Sequence, residues 1–217
     1  MFIGHFAVAF AVKKLEPRVS LATTILAAEL ADTIWPFLLL AGVETATIAP
    51  GATAVTPMRF DSYPWSHSLL MLSVYGVLFG ALYFVRRHSA RAAVLLGLLV
   101  VSHWFLDYVS HATDMPLSPW SSAKYGLGLW NSVPATVIVE GALFAAGVAL
   151  MLGATRGRDK IGRWGFGAFV TILLLIYVAN FFSPPPPSIQ IVGWTSVVLP
   201  VVLLPFVAWF DRHREPV

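Results

Sequence analysis

The chain has 217 residues, of which 58% are hydrophobic and 12% charged, against roughly 25% charged in ordinary globular proteins; its mean hydropathy is +0.76. So few charges cannot cover a soluble fold of this size, and the composition specifies an integral membrane protein. The formal net charge of +3 comes with no basic run interleaved with aromatics and no cysteine. This gives no basis for nucleic-acid binding and excludes disulfides, thiolate metal sites and cysteine nucleophiles.

In chain order, the apolar stretch Met1–Val12 is followed, not preceded, by Lys13 and Lys14, the reverse of a signal peptide. Residues 2–12 are too short to span and read as an interfacial helix or a half-helix dipping into the bundle. A spanning helix needs ~20 mostly apolar residues. Six segments qualify, about 19–43, 65–86, 90–112, 133–155, 163–182 and 190–210. Strand alternation is absent, so a β-barrel is disfavoured. The expected fold is an all-α polytopic membrane bundle of six spans plus the N-terminal half-helix or interfacial helix, forming one domain over 1–217.

Six spans put 13–18, 86–91, 156–163 and 211–217 on one face. These segments carry Lys13, Lys14, Arg18, Arg86, Arg87, Arg91, Arg156, Arg158, Lys160, Arg163, Arg212 and Arg214, leaving only Arg59 and Lys124 of the 14 Lys and Arg residues for the other face. The positive-inside rule makes the first face cytoplasmic, with both termini there. Outside lie two longer loops, 44–64 and 113–132, the second reading as a lid or a plain connector. Gly76 and Gly80 form a GxxxG step suited to close helix packing. Ser183–Pro187 reads as a stiff turn. Trp65, Trp104, Trp120 and Trp130 read as interfacial aromatics.

Ionisable residues inside the spans carry the chemistry. Glu29 and Asp32 lie in the first, His67 opens the second, His103, Asp107 and His111 run along the third, and Glu140 lies in the fourth. An acidic residue at mid-helix costs ~2.5–3.5 kcal/mol on insertion scales, so the four acids together cost on the order of 10 kcal/mol. They must pair, bind something or line a wet cavity; Glu140 fits a partner for a buried hydroxyl or amide. At ~1.5 Å per residue, Glu29 lies about 15 Å from the cytoplasmic end, His103 about 17 Å, Asp32 about 20 Å, Asp107 about 23 Å, His67 about 27 Å and His111 about 29 Å. All sit at the midplane or in the outer half.

His103, Asp107 and His111 are spaced i, i+4, i+8 and share one helix face. Two ligands at i, i+4 can grip one metal ion, and an imidazole–carboxylate set suits zinc first, then manganese or iron. His67 and Asp32 arrive at similar depth and can complete the set. His5 reaches it if residues 2–12 enter as a half-helix. His111 is a further ligand or a residue at the rim.

These residues resemble the YdjM-like family of bacterial membrane-bound, metal-dependent hydrolases. The likeness rests on Gly4 and His5, on Asp32, on Ser66-His67-Ser68-Leu69-Leu70, and on Ser102 and His103 with Asp107 in an HxxxD step; it covers about residues 1–130. It implies a metal-dependent hydrolase of the bacterial inner membrane. The chain departs from the family pattern at Asp32-Thr33-Ile34-Trp35, where the family carries a second acid and a histidine, and at Phe60–Trp65.

The first functional reading is therefore an enzyme. A divalent metal held by His103, Asp107, His67, His5 and His111 activates water, and Asp32 or Glu29 serves as general base. The expected substrate is an amphiphilic, lipid-linked ester or phosphoester. The second reading is an ion- or proton-coupled transporter using the same stripe. The third is a non-catalytic scaffold. Membrane lipids are the expected surroundings in each.

Overall fold

The computed structural model covers residues 1–217. Its helices are α1 (Ile3–Leu15), α2 (Leu21–Ala28), α3 (Leu30–Leu40), α4 (Pro64–His67), α5 (Leu69–Arg87), α6 (Ala90–Ser110), α7 (Val133–Ala154), α8 (Lys160–Phe182) and α9 (Ile189–Asp211). Helices α5 to α9 are each long and apolar enough to cross a bilayer, and α2 with α3, bent by 54°, makes a sixth crossing. The chain is a multi-pass, all-α membrane bundle, as its composition requires. The first span differs from the simple rod expected over 19–43: it breaks at Glu29, which puts Glu29 at the corner and Asp32 in the first turn of α3.

Local sequence sets the helix starts. Ser20, Ser68, Ser89, Ser132 and Ser188 each accept a backbone N–H at the start of α2, α5, α6, α7 and α9, and Asp159 does so for α8. Such caps satisfy donors that have no partner within the helix.

Residues 2–12 form most of α1, and the half-helix alternative is the one realised. This 13-residue helix is about 20 Å long, too short to span. It packs against α7, α2 and α6. The approach to α7 is close: a Cβ at Gly147 would lie 2.5 Å from the Ala7 carbonyl oxygen. Lys13 pairs with Asp211 at 3.6 Å, and Lys14 donates to the Gly153 carbonyl at 3.4 Å. The basic end of α1 thus stays with the other basic loops, while Met1 itself is buried inside the bundle.

At that basic end, β5 (Thr155–Gly157) pairs antiparallel with β6 (Arg214–Pro216). His213 meets Asp159 at 2.6 Å, and Arg91 donates to the Leu15 carbonyl at 2.8 Å. The segments 13–18, 86–91, 156–163 and 211–217 therefore meet at one end. The adjoining half of the interior is filled by Phe10, Phe144, Phe166, Phe169 and Phe210, all buried and in ring contact.

The opposite end carries two hairpins, β1 (Thr45–Ile48) with β2 (Met58–Ser62) and β3 (Met115–Pro116) with β4 (Lys124–Tyr125). The 113–132 loop is tied down: Gly128 N–H donates to the His111 carbonyl and Leu127 N–H to the Tyr108 carbonyl. Trp104 is not an interfacial aromatic. It is buried and its Nε1 donates to the Pro116 carbonyl at 2.9 Å. Trp130 also turns inward, its ring 4.4 Å from that of His111, whereas Trp65 and Trp120 are exposed.

The GxxxG step packs α5 on α6. A Cβ at Gly76 would lie 2.6 Å from the Gly97 carbonyl oxygen, and one at Gly80 would lie 2.7 Å from that of Ala93. Overpacking at such a contact costs about 1–3 kcal/mol. Gly76→Val is expected to lower the thermal midpoint in detergent, while Gly141→Ala, with no atom within 4 Å of its new Cβ, is expected to leave it nearly unchanged. Equal midpoints for the two variants would contradict this packing.

Candidate metal centre

Four histidines and two aspartates converge where α1, the α2–α3 corner, α4 and α6 meet. Helix α6 supplies His103 and, one turn on, Asp107. His111 caps the C-terminal end of α6, its backbone already extended, so the third member of the stripe leaves the helix but still turns back to Asp107. Helix α1 brings His5, α4 brings His67 and the first turn of α3 brings Asp32.

Asp107 is at the centre, 2% exposed. Its Oδ1 lies 3.0 Å from His5 Nε2 and against the amino group of Met1. Its Oδ2 lies 3.1 Å from His103 Nε2, 3.7 Å from His111 Nε2 and 3.9 Å from His67 Nε2. Asp32 adds Oδ1 at 3.2 Å from His67 Nε2 and Oδ2 at 3.9 Å from His103 Nε2. The His5 and His103 rings stack in parallel, centroids 3.8 Å apart. Every one of the four histidines thus presents Nε2 to the Asp107 carboxylate.

Two overlapping trios, His5-His103-Asp107 and Asp32-His67-His103, have ligand atoms all within 4.8 Å of one another and could hold a metal ion. Four ligands at 2.0–2.2 Å from a tetrahedral zinc lie roughly 3.4 Å apart, inside the range of the separations above. His103 Nε2 supplies a further test. It is buried with no hydrogen-bond partner although Asp107 Oδ2 is only 3.1 Å away. A bare, buried nitrogen lone pair facing a carboxylate out of line for a hydrogen bond fits a cation between them. The residues present fit a divalent metal.

The far sides of the rings are held. His103 Nδ1 donates to the Ala28 carbonyl at 2.8 Å, beside the break between α2 and α3, which leaves Nε2 as the free acceptor. His111 Nδ1 lies 3.1 Å from Asp114 Oδ1. Tyr63 donates its hydroxyl to the same oxygen at 2.7 Å; burial first, then the Asp114 carboxylate, push the Tyr63 hydroxyl well above its usual range, so it remains a donor. His67 Nδ1 lies 2.7 Å from Ser66 Oγ, which reaches Glu44 Oε2 at 2.6 Å. Such outer partners fix ring orientation and tautomer at metal sites.

Glu29 faces the same cavity but touches none of the histidines, and its Oε1 is buried and unpartnered. Glu140 accepts from Phe2 N–H at 3.0 Å and from Trp130 Nε1 at 3.4 Å, the structural role expected of it. Arg59 and Asp61 form an exposed ion pair at 2.6 Å. Sequence reasoning missed Glu44, Tyr63, Asp114 and the inward turn of Trp130. Each lies in a loop, where periodicity gives no direction; an acid, Glu44, at the outer end of an apolar span was the one available signal.

The centre opens onto a cavity of about 610 Å³, whose lining includes Asp32, His67, Asp107 and His111 at the polar end and Ile25, Leu26, Leu199, Leu203 and Leu204 along its apolar walls. Asp32 is open to this cavity, its side chain 47% exposed. No Lys or Arg lines the cavity.

The chain matches no family model, no curated protein and no solved structure.

A ligand stabilises the state that binds it, by about 2.7 kcal/mol at a concentration 100-fold over its Kd. Zinc is expected to raise the thermal midpoint of the purified protein and to leave a His103→Ala, Asp107→Ala variant unmoved. An equal response from both would contradict binding at this centre.

Proposed function

We propose that the chain is a membrane-embedded, metal-dependent hydrolase acting on an amphiphilic ester, of the kind its resemblance to the YdjM-like family implies. The observation that carries this reading is the continuity of the His/Asp centre with an apolar-walled cavity inside the bundle. A structural network would be closed and satisfied; here Asp32 is open to the cavity and His103 Nε2 and Glu29 Oε1 are unpartnered.

His103, Asp107, His67 and His5 would hold the ion, with His111 completing the set, and zinc is the first choice for this donor set, ahead of manganese or iron. When bound, the ion supplies Lewis acidity and an acidified water. Asp32 is placed to take the proton of the attacking water, because it combines contact with His67 with access to the cavity. Glu29, at the corner one turn earlier, is the reserve base. The apolar walls along α2 and α9 would accommodate a hydrocarbon tail, with the ester head toward His67, Asp107 and His111 at the polar end. With no Lys or Arg on the walls, the anionic charge of a phosphoester would be met at the metal and by the Met1 amino group beside Asp107. The positive-inside rule makes the basic end cytoplasmic, the family resemblance implies the bacterial inner membrane, and on this reading the site lies at the midplane or in the outer half.

The aromatic plug of Phe10, Phe144, Phe166 and Phe169 weighs against a transporter. It fills the half between the centre and the basic end, where a permeation route would need polar groups.

The test is hydrolysis by zinc-loaded protein of short- and long-chain nitrophenyl esters and phosphoesters in detergent. Turnover is expected for long-chain substrates only, with Asp32→Asn lowering kcat by about 10²-fold or more while zinc stays bound. Metal-loaded protein inert toward every substrate, or a fully active Asp32→Asn, would contradict the reading.

A further inference from the structure

We infer that Glu44, which touches none of the candidate ligands, sets the tautomer of His67 through Ser66 and so determines whether His67 can offer its Nε2 lone pair to a cation. The tautomer claim stands on the hydrogen bonds alone; its consequence for metal rests on the centre proposed above.

Glu44 follows α3 in sequence and is 1% exposed, deep under the outer hairpin. Its Oε1 accepts the backbone N–H groups of Trp65 and Ser66 at 2.8 and 2.9 Å, and its Oε2 accepts the Ser66 hydroxyl at 2.6 Å. A carboxylate only accepts, and a serine hydroxyl has one proton to give. That proton goes to Glu44. Toward His67 Nδ1, 2.7 Å away, Ser66 Oγ offers only a lone pair, so Nδ1 must carry the imidazole proton. A neutral His67 then has its lone pair at Nε2, in hydrogen-bond contact with Asp32 Oδ1 at 3.2 Å and 3.9 Å from Asp107 Oδ2, so that a cation there takes the place of a proton. Two carboxylate oxygens facing a lone pair leave a place that a cation fits.

The chain of donors runs one way, and one isosteric change reverses it. In Glu44→Gln the amide oxygen keeps the two backbone N–H groups and the amide nitrogen donates to Ser66 Oγ. Of the two acceptors left to it, His67 Nδ1 at 2.7 Å and the Tyr63 carbonyl at 3.4 Å, Ser66 turns its proton to the nearer, and the imidazole proton moves from Nδ1 to Nε2. The proton count of Ser66 and His67 is unchanged, but an N–H now faces Asp32 where a ligand lone pair was. The α4 turn that presents His67 keeps its backbone partners, so the change is one of proton direction and not of shape.

The test is nitrogen NMR of 15N-histidine-labelled, metal-free protein in micelles, with His67 assigned by its absence from a His67→Gln variant. The wild type is expected to show His67 protonated at Nδ1, Glu44→Gln to show it protonated at Nε2, and Ser66→Thr, which keeps the hydroxyl, to match the wild type. Zinc affinity is expected to fall about 10–100-fold in Glu44→Gln and to be kept in Ser66→Thr. A wild-type His67 protonated at Nε2 or at both nitrogens, or an unchanged tautomer in Glu44→Gln, would overturn the inference. A tautomer switch with zinc affinity unchanged would uphold the relay and remove His67 from the ligand set. If Glu44→Gln does not fold, Ser66→Ala carries the test: loss of the fixed Nδ1–H form supports the relay, and its retention overturns it.

Discussion

Asp107 sits 2% exposed in the interior of an apolar bundle, and burying an uncompensated carboxylate there costs several kcal/mol. The surrounding architecture supplies compensation from every side. Helix α1 brings His5 and the Met1 amino group to Oδ1, and α4, α6 and the α6 C-terminus bring His67, His103 and His111 to Oδ2. Four imidazole nitrogens on one carboxylate, with Asp32 behind two of them, are more than an ion pair needs and could hold a divalent cation.

That convergence explains the less regular parts of the fold. The 13-residue α1 is too short to span, begins inside the bundle and places His5 against His103. The 54° bend between α2 and α3 turns Asp32 toward His67 and sets the Ala28 carbonyl on His103. The outer loops extend the same logic, because Glu44, Asp114 and Tyr63 each hold the back of a histidine whose front faces Asp107. The hairpins are thus the outer support of the centre, and the cavity beneath them is bounded by α2, α8 and α9.

Much of this was legible in the sequence because the bilayer restricts what a chain can do. Twenty apolar residues must be a helix in lipid, so the spans read off directly, and the charges on the loops sorted one end from the other. His103 and Asp107 were legible because helical spacing puts i and i+4 on one face. The cost of intramembrane charge marked Asp32 and Glu29 as functional candidates, though only Asp32 reaches the histidines. The half-helix was left open against an interfacial helix because length excludes a span without fixing an angle. Trp104 was misplaced because an indole near a helix end satisfies its N–H equally well at the headgroups or at a buried carbonyl, and only the fold of the 113–132 loop decides. Glu44 and Asp114 escaped because loop residues have no period, and their partners are set by tertiary structure.

The function proposed for this chain requires a metal at Asp107. The direct measurement is elemental analysis of protein purified in detergent without chelators, beside the His103→Ala, Asp107→Ala variant. Bound zinc, manganese or iron is expected at about one ion per chain or more in the wild type, and none in a folded variant. A wild type free of metal that also fails to take it up from solution would contradict the proposed function, and the histidine ring would then be a proton-handling or packing network.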